Sequence, residues 1–276
     1  MLRFLFLAFL VNFSHGLLSP SRKALPGEAP FMVRISDGRQ FCGGTLIRDN
    51  IVLTAGHCAR ASQAGFVSVT AGTNYVNSPG KGQKHYAEQL LPHANFSVGA
   101  NGVQAYNDIA LIKLSTPFEL NSDVQPISWA NVSLERDSVM FGFGYNDFHM
   151  PAQYLRAINV TFIEEPKCVE MLAKTITKSV KENYELCAEK CACNGDSGSP
   201  LIQKDENGEA KIVGIASWLA DDLYGCTTPP AVFLKVAEFE DWITEKLKDL
   251  EISNKISTES SEKKSYRTTR HLARYF

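Results

Sequence analysis

The stretch Gly195-Asp196-Ser197-Gly198-Ser199-Pro200 contains the residue types from which a nucleophilic serine is built. A serine hydroxyl becomes a nucleophile when a tight turn exposes it and a base lies within hydrogen-bond reach. Backbone N–H groups must also face the oxygen that turns anionic. Gly195 lets its own N–H and that of Ser197 point at one spot. A bare Gly-x-Ser-x-Gly is also an ordinary polar loop, so the reading depends on partners elsewhere. The base candidate is His57, in Thr54-Ala55-Gly56-His57-Cys58, directly after the apolar run Ile51-Val52-Leu53. The acid candidate is Asp108, at the head of Ile109-Ala110-Leu111-Ile112-Lys113-Leu114. A carboxylate entering an apolar run is costly unless something satisfies it. An imidazole N–H does so, and the pair fixes the histidine tautomer that can deprotonate serine. Taken singly, His57 reads as a core histidine and Asp108 as a strand-edge turn residue. Together, in the order His, Asp, Ser, they point to acyl transfer by a Ser-His-Asp triad.

On these three motifs the sequence resembles the chymotrypsin/trypsin family of serine endopeptidases, from about residue 30 to residue 250. The resemblance implies that Ser197 attacks a peptide carbonyl, His57 moves the proton and Asp108 holds the imidazole. The N–H groups of Gly195 and Ser197 would form the oxyanion hole. It implies protein or peptide substrates, protein protease inhibitors as partners, a monomer, and neither cofactor nor metal. Ser217-Trp218-Leu219 would pair with extended substrate backbone as an added strand. Cys191 would be the floor of the primary pocket, where trypsin-like members carry an aspartate. A neutral thiol cannot pair with a substrate Lys or Arg, so apolar P1 residues are expected. Leu219 would narrow the pocket mouth and Ala231 would add a small wall; Asp221 and Asp222 are the counter-indication. Relatives also insert a freshly cut N-terminal ammonium beside the aspartate preceding the nucleophile, here Asp196. This chain has no Ile-Val-Gly-Gly-like segment. Arg22 and Lys23 lie too close to Pro30 for a cut there to reach Asp196, so the expected terminus is Leu17 or Leu18, released with the signal peptide.

These residues need elements to position them. Phe31–Ile35 and Phe41–Ile47 flank Asp37-Gly38, a hairpin turn signal. Further strands are expected over 66–70, 109–114, 139–143, 155–163, 212–218 and 231–236. One helix is expected at 236–250, where Val236, Phe239, Ile243, Leu247 and Leu250 share a face. Many short strands and one late helix predict an all-β sandwich or barrel. The resemblance sharpens this to two antiparallel six-stranded β-barrels with a C-terminal α-helix, about 30–125 and 126–236, within a protease domain spanning 30–252. The triad would lie between the barrels. The resemblance also pairs Cys42 with Cys58, Cys168 with Cys187 and Cys193 with Cys226, leaving Cys191, the last of seven cysteines, over. Cys191-Ala192-Cys193 could hold a metal, but no clustered His or Cys accompanies it.

The ends of the chain read differently. Residues 1–16 have the form of a secretory signal peptide: Arg3, the apolar run Phe4–Phe13, then Ser14-His15-Gly16. Residues 17–29 read as a leader, and 253–276 as a polar, basic tail lacking a packing face. No later stretch of the 276 residues is apolar enough to span a membrane, and secretion makes disulfides the natural use of the cysteines. The net charge of −2 gives no reason to expect a nucleic-acid partner. Asn95, Asn131 and Asn159 head glycosylation triplets, Asn159 within an expected strand. Residues 70–84, where relatives often bind calcium, contain no carboxylate, so calcium is not expected there. The competing reading is a protease homologue that binds partners without cleaving them. The missing activation segment and Leu219 favour it, and the intact triad opposes it.

Overall fold

Short runs of β-branched and aromatic residues separated by polar turns fold here, among the described residues, into sixteen strands. The computed structural model describes residues 21–60, 63–76, 81–99, 104–145, 150, 152–173, 183–189, 192–219 and 230–253. The first nine strands are β1 Ser21–Lys23, β2 Met32–Ser36, β3 Phe41–Arg48, β4 Ile51–Thr54, β5 Ser68–Ala71, β6 Gln83–Pro92, β7 Ser97–Val98, β8 Ala105–Tyr106 and β9 Ala110–Leu114. The others are β10 Ser138–Gly142, β11 Arg156–Val160, β12 Phe162–Ile163, β13 Glu185–Ala188, β14 Pro200–Lys204, β15 Ala210–Leu219 and β16 Ala231–Lys235. Helix α1 is Gly56–Arg60 and α2 is Glu165–Leu172. Helix α3 covers 240–253 and is entered through a 3-10 turn, Val236–Phe239.

Strands β2, β3, β4, β9, β6 and β5 close in that order into an antiparallel barrel. The Asp37-Gly38 turn joins β2 to β3, and the Asp37 carboxylate accepts the N–H groups of Arg39 and Gln40, each at 2.9 Å. Strand β9 is buried along its whole length. Lys113 is tolerated there because its ammonium reaches Glu88 at 3.0 Å.

The second sheet is eight strands in the order β1-β11-β10-β14-β15-β16-β13-β12. Its two outer parts, β11 and β12, are separated in sequence by Thr161 alone, so the run 156–163 bends from one end of the sheet to the other. The expected six-stranded barrel is thus interrupted at Thr161 and carries β1 as an extra edge strand. Ser21, Arg22 and Lys23, expected within a leader, pair with Ile158, Ala157 and Arg156 and satisfy the open edge of β11.

One apolar cluster runs through both sheets and α3, from Val33, Leu53 and Leu111 to Ile215, Leu234 and Ile243. The late helical periodicity is realised: Val236, Phe239, Ile243 and Leu250 are buried and Leu247 packs against them. Phe239, in the turn entering α3, meets His93 of the first barrel and Tyr184 beside the second, and Trp242 of α3 also meets His93, so the turn and helix wedge the two together. Disulfides join Cys42 to Cys58 and Cys168 to Cys187. Cys193 is also disulfide-bonded; Cys226, its expected partner, lies outside the described residues. So do Cys191, Asp221, Asp222, Leu17, Leu18 and almost all of the 253–276 tail. No helix among the described residues is long and apolar enough to cross a membrane.

Candidate active site

Helix α1 is a single turn entered directly from β4, and it places His57 at the edge of the first barrel. Cys58, the next residue, ties that turn to Cys42 on β3. Asp108 arrives from the other side, just ahead of β9. Asn107 takes a left-handed φ of 47°, a conformation that asparagine tolerates better than most residues, and the chain turns there to bring Asp108 inward.

Asp108 has no exposed surface. Its Oδ1 accepts the backbone N–H of His57 at 2.8 Å and its Oδ2 faces Nδ1 of the ring at 2.8 Å. The carboxylate therefore grips both the main chain and the imidazole. With Nδ1 carrying the proton, the lone pair is left on Nε2. A third partner was not anticipated: the Ser217 hydroxyl donates to Asp108 Oδ2 at 2.6 Å. Ser217 was expected only as a substrate contact, and only the fold brings β15 across the seam to Asp108. Burial alone would lower the His57 pKa, but the charge of Asp108 and the hydrogen bond to it outweigh that and raise it above the ordinary 6.5.

Ser197 comes from the second sheet, on the loop entering β14. The loop is pinned across the seam, because Gly43 N–H donates to the Ser197 carbonyl at 2.8 Å. Within it, the N–H groups of Asp196, Gly198 and Ser199 go to the carbonyls of Cys193, Ala216 and Asp196. Those of Gly195 and Ser197 meet no hydrogen-bond acceptor among the described residues. Gly195 has φ of 88°, and a Cβ there would strike the Phe41 ring, so both conformation and space demand glycine. Two adjacent N–H groups left open beside a serine are suited to an oxyanion.

Asp196 is fully buried. Its carboxylate accepts the N–H of Gly144 at 2.7 Å and of Cys193 at 3.0 Å. Gly142 and Gly144 frame it so closely that a Cβ on either would run into its oxygens. Burial pushes its pKa up to about 6, against the charge of Arg156 and those two backbone donors.

His57 and Ser197 line one cleft together with Ala192, Cys193, Asn194, Ala216, Ser217, Trp218, Leu219 and Val232. Val98 and Ala105, from the paired strands β7 and β8, complete the lining. Ala192, Ala216, Val232 and the β7–β8 pair went unrecognised in the sequence, since an isolated Ala or Val carries no chemical signature. Ala231 is buried and stands opposite Leu219 in the β15–β16 register, so two of the expected pocket residues meet. Trp218 is anchored by its indole N–H to the buried Glu185 at 3.2 Å. Asn95, Asn131 and Asn159 are all exposed; Asn159 sits in β11 opposite Val139.

A closed six-stranded barrel, a second sheet bent toward closure, and a serine loop facing a carboxylate-held histidine across their seam are the architecture of a chymotrypsin-fold protein. A family model described as Trypsin matches residues 20–243. Trypsin-2 of Salmo salar is 31% identical over 221 residues, covering 78% of this chain and 88% of that protein. Serine protease 1 of Rattus norvegicus is 31% identical over 224 residues, covering 78% and 84%. Lectizyme of Glossina austeni is 29% identical over 256 residues, covering 86% and 89%. The chain belongs to the trypsin family of serine proteases.

Proposed function

We propose that this protein is a secreted serine endopeptidase in which Ser197, His57 and Asp108 act as nucleophile, general base and orienting acid. The observation that carries the reading is the arrangement around one cleft. A buried carboxylate holds a histidine in the tautomer with Nε2 open, in one cleft with a serine whose own N–H and that of Gly195 meet no acceptor among the described residues. Nε2 takes the Ser197 proton as Oγ attacks the carbonyl carbon. The N–H groups of Gly195 and Ser197 receive the oxyanion, and the imidazolium, stabilised by Asp108, returns the proton to the leaving amine. Water then repeats the cycle on the acyl-enzyme. No cofactor or metal enters this scheme.

Ala192, Ala216, Trp218 and Val232 in the cleft wall, with the Leu219–Ala231 pair, support a preference for apolar P1 residues of small to medium size. Cys191 is the proposed floor. The unmodified protein should cut a peptide library after such residues and poorly after Lys or Arg, and Cys191→Asp should move the profile toward basic P1. A profile dominated by Arg and Lys would refute the pocket assignment, with Asp221 and Asp222 the first residues to replace.

Secretion rests on residues 1–16 and the disulfides, with 17–29 as leader, 30–252 as protease domain, 253–276 as tail and Asn95, Asn131 and Asn159 as glycan acceptors. Asp196 is the anionic half of the ion pair that shapes the oxyanion loop. Arg22 and Lys23 lie within β1, with Arg22 bonded to Glu28 and Lys23 over the Tyr154 ring. Cutting there would sever a paired strand, which favours a terminus at Leu17 or Leu18.

A further inference from the structure

Arg156 opens β11, and only 11% of its side chain is exposed. Its Nη2 donates to the Tyr145 carbonyl at 2.9 Å, while its buried Nε has no hydrogen-bond partner. Among the described residues, Asp196 is the one carboxylate in ion-pair range of this guanidinium: Nη2 stands 4.0 Å from Oδ2. Lys23, its register partner on β1, is exposed and turned over Tyr154. A guanidinium so far withdrawn from water is stable only if its charge is met, and so is a fully buried carboxylate. Each is the partner the other lacks.

We propose that Arg156 is the in-chain counter-ion that holds Asp196 in place, so that the oxyanion site assembles without an inserted N-terminal ammonium. The proposal rests on the serine protease reading above. The Asp196 carboxylate is tied to Gly144 and Cys193, and its main chain lies between the two N–H groups assigned to the oxyanion. Fixing the carboxylate therefore fixes the direction of those donors. Arg156 touches no substrate; it is a positioning residue acting through Asp196. Leu17 or Leu18 can be the mature terminus without being the switch.

The test uses the secreted full chain in two forms, one with its native terminus and one with a short Gly/Ser extension ahead of Leu17. Each is made as wild type, Arg156→Gln and Arg156→Lys. Amide hydrogen exchange at Gly144 and Cys193, the two donors to Asp196, is read beside kcat and KM on a peptide; exchange in β9 reports intact folding. The extension should leave both readouts of the wild type unchanged. Arg156→Gln should accelerate exchange at both amides and cut kcat by about 10²-fold, with KM little altered, as for loss of an oxyanion donor. Arg156→Lys, which keeps a charge, should restore most of each. Faster exchange and lost activity on extending the wild type would overturn the proposal, as would slow exchange retained in Arg156→Gln. If no form turned over substrate, the protease reading would fall, and the exchange data would still decide the role of Arg156.

Discussion

At the residue scale, the proposed chemistry depends on a single buried carboxylate with three partners. Asp108 accepts from the main chain of His57, faces its ring, and accepts from Ser217. A charge at full burial is tolerable because each of those contacts replaces a lost water. The His57 pKa is the functional readout of that arrangement. Only neutral imidazole can accept the Ser197 proton, and the Asp108 charge favours the protonated ring. Activity must therefore be low at acid pH and rise as pH climbs through the raised His57 pKa. The acid limb of kcat/KM is expected above the ordinary value of 6.5. Replacing Asp108 with Asn should shift that limb to lower pH and reduce kcat by about 10⁴-fold, since the amide favours the wrong tautomer. A limb at or below 6.5 in the wild type would contradict the assigned pair.

At the element scale, the device that unites the molecule is α3. Its apolar face was legible from spacing alone, because the 3.6-residue period places Phe239, Ile243 and Leu250 on one side. Ile243 has no exposed surface and belongs to the apolar cluster that spans both sheets. Ile243→Ala should cost about 2–5 kcal/mol, read from the shift of a denaturant midpoint at unchanged slope. A shift near zero would mean that α3 is not part of the cooperative core. Other elements were not legible. Strand β6 runs ten residues through Gln83–Pro92, yet along it only Ala87 is fully buried. Its alternation is too weak to announce a strand, and barrel closure between β5 and β9 is what holds it. Helix α2 begins Glu165-Pro166, with proline in its first turn, and buries only Cys168 and Leu172. Its apolar stripe is too thin to read without the Cys168–Cys187 bridge.

At the scale of the whole molecule, His57 and Asp108 belong to one barrel and Ser197 to the other sheet, so the cleft exists only when the two are packed. Local sequence could supply the three motifs, because each sits on a turn whose glycine or asparagine marks it. It could not supply the contacts made across the seam, Ser217 to Asp108 and Gly43 to Ser197, nor the approach of Arg156 to Asp196 within the second sheet. Those join residues far apart in the chain, and nothing in their flanks points to a partner. On the proposed function, this seam is what makes Ser197 a nucleophile. A fluorophosphonate probe reacts with an activated serine hydroxyl and leaves a covalent adduct that mass spectrometry can assign to a residue. One adduct per chain is expected, on Ser197, absent from Ser197→Ala and strongly slowed in His57→Ala. A folded wild-type protein that stays unlabelled, or carries its adduct on another residue, would contradict it.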